Sequence, residues 1–178
     1  MHQLVSLNKL STKQTPYYYY DTALLKETLQ AIKAEIEPYE RFQVHYAVKA
    51  NANAKLLNII SQAGLEADCV SGGEILAAID AGFSPNKIVY AGVGKSDWEI
   101  ALGIDQEILC FNVESIAELK VINEIAEKKG KIARIALRIN PDVEAHTHAN
   151  ITTGLAENKF GIALCEMETA LEACLRMK

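Results

Sequence analysis

One event recurs along this chain and constrains its fold more than anything else. A short apolar stretch rich in β-branched or aromatic residues ends in a polar cluster, and a segment of helical periodicity follows. Residues 42–48 lead into Lys49-Ala50-Asn51-Ala52-Asn53 and then a helix near 54–63. Residues 65–70 lead into Ser71-Gly72-Gly73-Glu74, residues 87–90 into 92–99, and residues 108–111 into 112–118. A fifth stretch, 132–139, is stopped by Asn140-Pro141, since proline lacks the ladder donor and restricts its predecessor. The polar junctions at Lys49, Ser71, Lys95, Glu114 and Asn140 lie 19 to 26 residues apart, about what one strand plus one crossover helix occupies. Five such units in series predict an α/β fold with a parallel sheet. An open doubly wound sheet and a (β/α)8 barrel both satisfy the pattern. A full barrel takes about 250 residues, so in a barrel these 178 residues would form only a part.

Three junctions carry Ser-x-x-Glu: Ser71 with Glu74, Ser96 with Glu99, and Ser115 with Glu118. Each stands where a capping box would satisfy the free N–H groups of a new helix. Residues 22–35 predict an amphipathic helix capped by Asp21, and residues 165–177 a last one. Residues 17–20, four tyrosines after Pro16, read as a strand outside the repeat. Alternation then assigns faces. On the first strand Phe42, Val44, Tyr46 and Val48 can pack under helices, leaving Gln43, His45, Ala47 and Lys49 opposite. On the fifth, Ala133, Ile135, Leu137 and Ile139 are the apolar set, leaving Ile132, Arg134, Ala136, Arg138 and Asn140 opposite. In a barrel Lys49 and Arg138 would project together at the carboxyl ends of their strands, where β/α enzymes place their chemistry, and Glu66 and Asp68, of the same parity on the second strand, would bring a carboxylate to the same floor. The competing reading is an ion-pair network inside the barrel.

Several chemistries are set aside by the residues themselves. Eighteen Lys plus Arg against 23 Asp plus Glu give a net charge of -5, with no basic block to neutralise phosphates, so no nucleic-acid partner is expected. No apolar run approaches the ~18 residues of a membrane span, and no export segment is visible. Cys69, Cys110, Cys165 and Cys174 show no Cys-x-x-Cys spacing; they read as small packed thiols in a reducing cytoplasm. Gly92-Val93-Gly94-Lys95-Ser96 resembles the end of a phosphate-binding loop, but the required earlier glycine is Val89, so a turn and helix start are expected instead. His146 and His148 are spaced to share a metal, yet the surrounding 142–154 reads as a polar loop over a site, and no metal is expected.

Tyr46-Ala47-Val48-Lys49-Ala50-Asn51 resembles the cofactor-lysine motif of the fold-type III pyridoxal phosphate decarboxylases, which are built on an alanine racemase-like barrel. Asp68-Cys69-Val70-Ser71-Gly72-Gly73-Glu74, Arg138-Ile139-Asn140-Pro141, His146 with Thr153-Gly154, and Lys159-Phe160-Gly161-Ile162 follow in the order and spacing of that family's diaminopimelate decarboxylase branch. The resemblance implies that Lys49 carries pyridoxal 5'-phosphate and that Asp68 and Arg138 border the cofactor. It further implies that His146, Thr153 and Gly154 belong to a substrate loop, that meso-diaminopimelate is decarboxylated to L-lysine in lysine biosynthesis, and that the enzyme is a homodimer. Carboxynorspermidine and arginine decarboxylases remain open as relatives, as does a non-catalytic cofactor carrier.

The family's ring-stacking histidine segment, glycine-rich phosphate loop, pyridinium-binding glutamate and partner-site cysteine motif do not occur before Lys178. The expectation is therefore an amino-terminal portion. Residues 1–21 would carry a strand for a carboxy-terminal β domain, residues 22–178 would form an incomplete barrel of about five units, and the chain alone would show little or no decarboxylase activity.

Overall fold

The computed structural model describes residues 13–141 and 160–177. Helix α1 spans Thr22–Ile36, and Asp21 caps it as expected, its carboxylate accepting from the Ala23 and Leu24 N–H groups at 2.9 and 3.1 Å. Five strands follow: β1 (His45–Ala47), β2 (Glu66–Cys69), β3 (Ile88–Tyr90), β4 (Cys110–Val113) and β5 (Ile135–Leu137). They pair in parallel and in chain order. Helices α2 (Ala54–Gln62), α3 (Gly72–Asp80), α4 (Asp97–Asp105) and α5 (Ile116–Lys129) make the crossovers. A doubly wound sheet reverses its strand order at a switch point. This order never turns back, which is the arrangement of a barrel wall.

The wall continues one step further than the repeat predicts. After β5 comes β6 (Ile139–Asn140), which pairs in parallel with β7 (Ile162–Ala163), and helix α6 (Met167–Arg176) follows. Only Arg138 separates β5 from β6. Its N–H donates to Val113 on β4, and its carbonyl accepts from Ile162 on β7, so at this residue the backbone passes from one neighbour to the next. A sixth strand of two residues is too short to show a period.

Other boundaries differ for physical reasons. β1 begins at His45 rather than at residue 42, because Phe42 lies exposed, edge-on to Tyr39, instead of under a helix. β4 runs to Val113 rather than stopping at 111: Asn112 is polar because it faces inward, not because the strand has ended. The strand expected at residues 17–20 is not formed. A strand needs a neighbour to exchange backbone bonds with, and among the described residues none runs beside it. Instead the Tyr18 and Tyr20 rings stack with centroids 6.2 Å apart.

Apart from the exposed Phe42, the expected apolar faces are seen: Val48 is buried, and Val44, Tyr46, Ala133, Ile135 and Leu137 pack against the core. Ala67, Cys69, Ile88, Tyr90, Phe111 and Val113 are buried between the sheet and its helices with Leu57, Ile75, Ile100 and Ile122. His45, Glu66, Asp68, Asn112 and Ala136 take the alternate positions. Lower on that face the His45 ring lies 3.1 Å from the buried Glu66 carboxylate, with Lys87 at 3.9 Å, so an ion-pair network does exist beneath the rim. The cysteines are free thiols. Cys69 is buried, and burial, then Glu74 and Asp68, push its thiol up to about 12. Cys165 is exposed rather than packed, since it lies on the turn Leu164–Glu166 ahead of α6.

All three Ser-x-x-Glu junctions are formed, with a variation. The Ser71 and Ser115 hydroxyls accept from the Glu74 and Glu118 N–H groups at 3.2 and 3.1 Å. The two carboxylates reach one residue past the cap, to the Val70 and Glu114 N–H groups, each at 2.8 Å. At Ser96 both the N–H and the hydroxyl donate to Glu99, at 3.0 and 2.7 Å.

Gly103 shows how tightly α4 is laid on the sheet: a Cβ there would stand 2.7 Å from Cζ of Phe111. Phe111 is buried and cannot withdraw. Gly103→Ala is therefore expected to lower stability by about 1–3 kcal/mol, read as a reduced urea midpoint at unchanged slope. No loss would mean that the helix floats free of the ring. No helix among the described residues is long and apolar enough to cross a membrane.

Candidate active site

The carboxyl ends of the strands border a cleft of about 710 Å³, lined by Lys49, Asp68, Gly92, Asn112, Glu114, Arg138 and Phe160 among others. That volume suits a small organic ligand. The structure thus brings together Lys49, Asp68 and Arg138, residues from the first, second and fifth units. His146, Thr153 and Gly154 lie outside the described residues.

Lys49 stands on a 3₁₀ turn, Val48–Ala50, that ends β1. The turn is tied down on several sides. The Asn51 N–H closes it on the Val48 carbonyl at 3.1 Å, and the Tyr46 hydroxyl donates to the Asn51 carbonyl at 3.2 Å. The Asn51 side-chain amide nitrogen donates to the Tyr20 hydroxyl at 3.0 Å, while its side-chain Oδ1 accepts from the Asn53 N–H at 3.0 Å. Asn53 then caps α2, accepting from Lys55 and Leu56. Burial, only partly offset by the bond to Asn51, raises the Tyr46 hydroxyl above its ordinary value, keeping it a neutral donor. Val48 is fully buried, which turns its neighbour Lys49 outward to the cleft.

Asp68 enters the same wall from β2. Its Oδ1 is buried and has no hydrogen-bond partner among the described residues. A buried carboxylate oxygen without a donor is costly, so this atom marks where a proton-bearing group from a ligand or from Lys49 would be accepted.

Arg138 is held at the opposite rim. One guanidinium nitrogen donates to both Glu114 oxygens, at 2.9 and 3.2 Å, and the guanidinium carbon sits 5.7 Å from the Phe160 ring centroid. The Glu114 side chain is only 3% exposed and also accepts from the Gly92 N–H at 3.4 Å. Glu114 and Asn112 are the site residues that motif reading passes over. The signal for them is the alternation along β4, where Cys110, Asn112 and Glu114 share the inward parity already used for Lys49 and Arg138. Among the described residues no group of His, Cys, Asp and Glu is clustered to hold a metal ion.

Lys95 is not a phosphate ligand. Its ammonium is buried and donates to the Gly92 and Asn112 carbonyls and to Glu118.

Below the rim, Glu99 fastens α4 to the start of α3. Burial alone would raise its carboxyl, but bonds from the Ser96 hydroxyl, the Gly72 and Ser96 N–H groups and the Tyr90 hydroxyl outweigh it and hold it at about 2, against an ordinary 4.5. The folded form therefore binds this proton more weakly than the unfolded form. Its contribution to stability is complete above pH 4.5 and drains away as the pH falls toward 2. Over that window the urea midpoint should fall more steeply in the wild-type chain than in Glu99→Gln. Parallel slopes would remove Glu99 from the account.

A parallel β/α wall whose carboxyl rim gathers an amine, an unpartnered carboxylate and a guanidinium defines a β/α-barrel domain with a small-molecule site. The comparison with known families makes this specific: the chain belongs to the pyridoxal-dependent decarboxylases, whose pyridoxal-binding domain matches residues 22–178. A diaminopimelate decarboxylase of Bacteroides thetaiotaomicron is 61% identical over 178 residues, all of this chain and 46% of that protein. One from Aquifex aeolicus is 45% identical over 175 residues, 98% of this chain and 41% of that protein. The crystal structure of diaminopimelate decarboxylase from Helicobacter pylori complexed with L-lysine superposes with a TM-score of 0.80 at 41% identity, covering 95% of this chain and 42% of that one. The chain thus spans less than half the length of these relatives.

Proposed function

We propose that this domain binds pyridoxal 5'-phosphate through Lys49 and serves the decarboxylation of meso-diaminopimelate to L-lysine. The observation that carries the reading is that the tethered Lys49 turn and the buried, donor-less Oδ1 of Asp68 line the same cleft. That donor set fits the cofactor: an amine for its aldehyde, an acceptor beside that amine for a protonated nitrogen, and a guanidinium for an anionic group. When bound, pyridoxal phosphate supplies an electron sink for the pair left behind as carbon dioxide departs.

The chain's own residues bind and orient. Lys49 supplies the covalent anchor. Asp68 accepts a proton-bearing nitrogen next to it, and the Glu114-held guanidinium of Arg138 presents directed donors across the cleft to a carboxylate or phosphate. His146, Thr153 and Gly154 contribute to the substrate loop. The reading includes a small amino-acid substrate, a cytoplasmic enzyme with no nucleic-acid or membrane partner, and a homodimer of a longer polypeptide. In that polypeptide residues 22–178 are the incomplete barrel, and residues 1–21 join a further β domain. The substrate assignment draws on the names of the two curated relatives.

The test is incubation of the chain with pyridoxal phosphate, reduction with borohydride and peptide mapping, followed by an assay for lysine release. A reduced adduct on Lys49 without measurable lysine release is the expected result. No adduct on Lys49 would end the cofactor reading. Release by these 178 residues alone would overturn their assignment as an incomplete site.

A further inference from the structure

Lys95 has no part in the reading above, yet it is an ammonium with a side chain only 1% exposed, an expensive placement unless something requires it. All three of its donors are committed: to the Gly92 carbonyl at 2.6 Å, the Asn112 carbonyl at 2.9 Å and Glu118 Oε1 at 2.6 Å. The Tyr90 ring lies beneath it, 5.3 Å from the nitrogen. Two of these bonds end at residues of the cleft. Gly92 and Asn112 line it directly. Glu118 uses its second oxygen to accept the Glu114 N–H at 2.8 Å, and Glu114 in turn takes Arg138 and the Gly92 N–H. The contacts therefore run from Lys95 through Glu118 to the backbone of Glu114, and from the Glu114 side chain to Arg138.

Helix capping does not explain the lysine. The junction at Ser71 repeats the same arrangement, with Glu74 accepting the Val70 N–H, and it forms with no ion pair to Glu74 among the described residues. The buried cation is particular to the junction that carries Glu114.

We infer that Lys95 is a positioning residue: by holding Gly92, Asn112 and Glu118 together it aims the Glu114 carboxylate and thereby fixes the Arg138 guanidinium at the rim of the cleft. Its functional meaning rests on the reading of that cleft as the cofactor and substrate site.

The test reads Arg138 itself, in the full 178-residue chain. The probe is phenylglyoxal, and the rate of arginine modification is followed peptide by peptide by mass spectrometry, with Arg41 as the internal reference. Glu114→Gln sets the scale, since a guanidinium released from its carboxylate should react several-fold faster. Lys95→Met is expected to accelerate Arg138 by a comparable factor while Arg41 is unchanged. Asp21→Ala, which weakens the distant α1 cap, should leave Arg138 at its wild-type rate, separating positioning from general loosening. If Lys95→Met unfolds the chain, every arginine accelerates together, and Glu118→Gln carries the test, because it keeps the side chain's size while removing the charge Lys95 faces. Selective acceleration of Arg138 supports the inference. An unchanged Arg138 rate in a folded Lys95→Met, in Glu118→Gln or in Glu114→Gln overturns it. Failure to capture pyridoxal phosphate on Lys49, measured separately, would sink the cofactor reading and leave this result standing.

Discussion

Lys49→Ala should abolish capture of pyridoxal phosphate in the cleft, with the saturable borohydride-stable adduct of the wild-type chain lost at cofactor concentrations that saturate it. Among the described residues Lys49 is the only lysine that lines the cleft. Lys95 is enclosed and fully bonded, Lys87 pairs with Glu66, and Lys129 and Lys131 are engaged with Asp105 and Glu107. The effect is all-or-none because the anchor is a single covalent bond from a single amine. The fold should survive, since Lys49 is exposed and makes no bond that holds its turn; far-ultraviolet circular dichroism and the urea midpoint should match the parent. An adduct that persisted in the variant on some other lysine would transfer the site elsewhere.

The second large effect is expected of Gly161→Ala. Gly161 adopts φ +105°, where a side chain is strained, and a Cβ would stand 2.8 Å from the Arg138 carbonyl oxygen and 3.1 Å from its Cγ. That oxygen cannot yield, because it accepts the Ile162 N–H at 2.8 Å and so begins the pairing of β6 with β7. Backbone strain and the steric contact together should cost about 2–4 kcal/mol. They should also release Arg138, whose own carbonyl and side chain are the atoms struck. The urea midpoint should fall, and α6, which follows β7 after the turn Leu164–Glu166, should lose amide protection before the rest of the chain. A variant within about 0.5 kcal/mol of the parent, the range of surface changes that touch nothing, would mean that the β6–β7 pair does not hold this edge.

The sequence discloses whatever repeats or periodicity can carry, and little of what depends on distant neighbours. The Asp21 cap, the three serine junctions and the inward parity of Lys49, Asp68 and Arg138 all follow from local chemistry over a few residues, and the structure has them in place. Polarity alone does not separate punctuation from function: Asn112 reads as the end of a strand and is an inward-facing member of one, and Glu114 is the expected junction and also the acid that holds Arg138. The short strand Ile162–Ala163 was missed because two residues carry no period, and its existence depends on pairing with Ile139 and Asn140. Residues 17–20 have high strand propensity and no strand to pair with among the described residues. The capture of Lys95 by Glu118 spans 23 positions, a contact that only the folded chain reveals.

The strands lie side by side in the order in which they are made, and the two cationic groups of the cleft belong to its first and fifth units, 89 positions apart. At synthesis rates of ~5–20 residues per second, Lys49 leaves the ribosome about 5–20 seconds before Arg138. During that interval the amine that would meet an aldehyde is already present, with neither its opposing guanidinium nor a closed pocket around it. A reactive vitamin arriving early would find a nucleophile without a mould, so productive loading should follow completion of the wall.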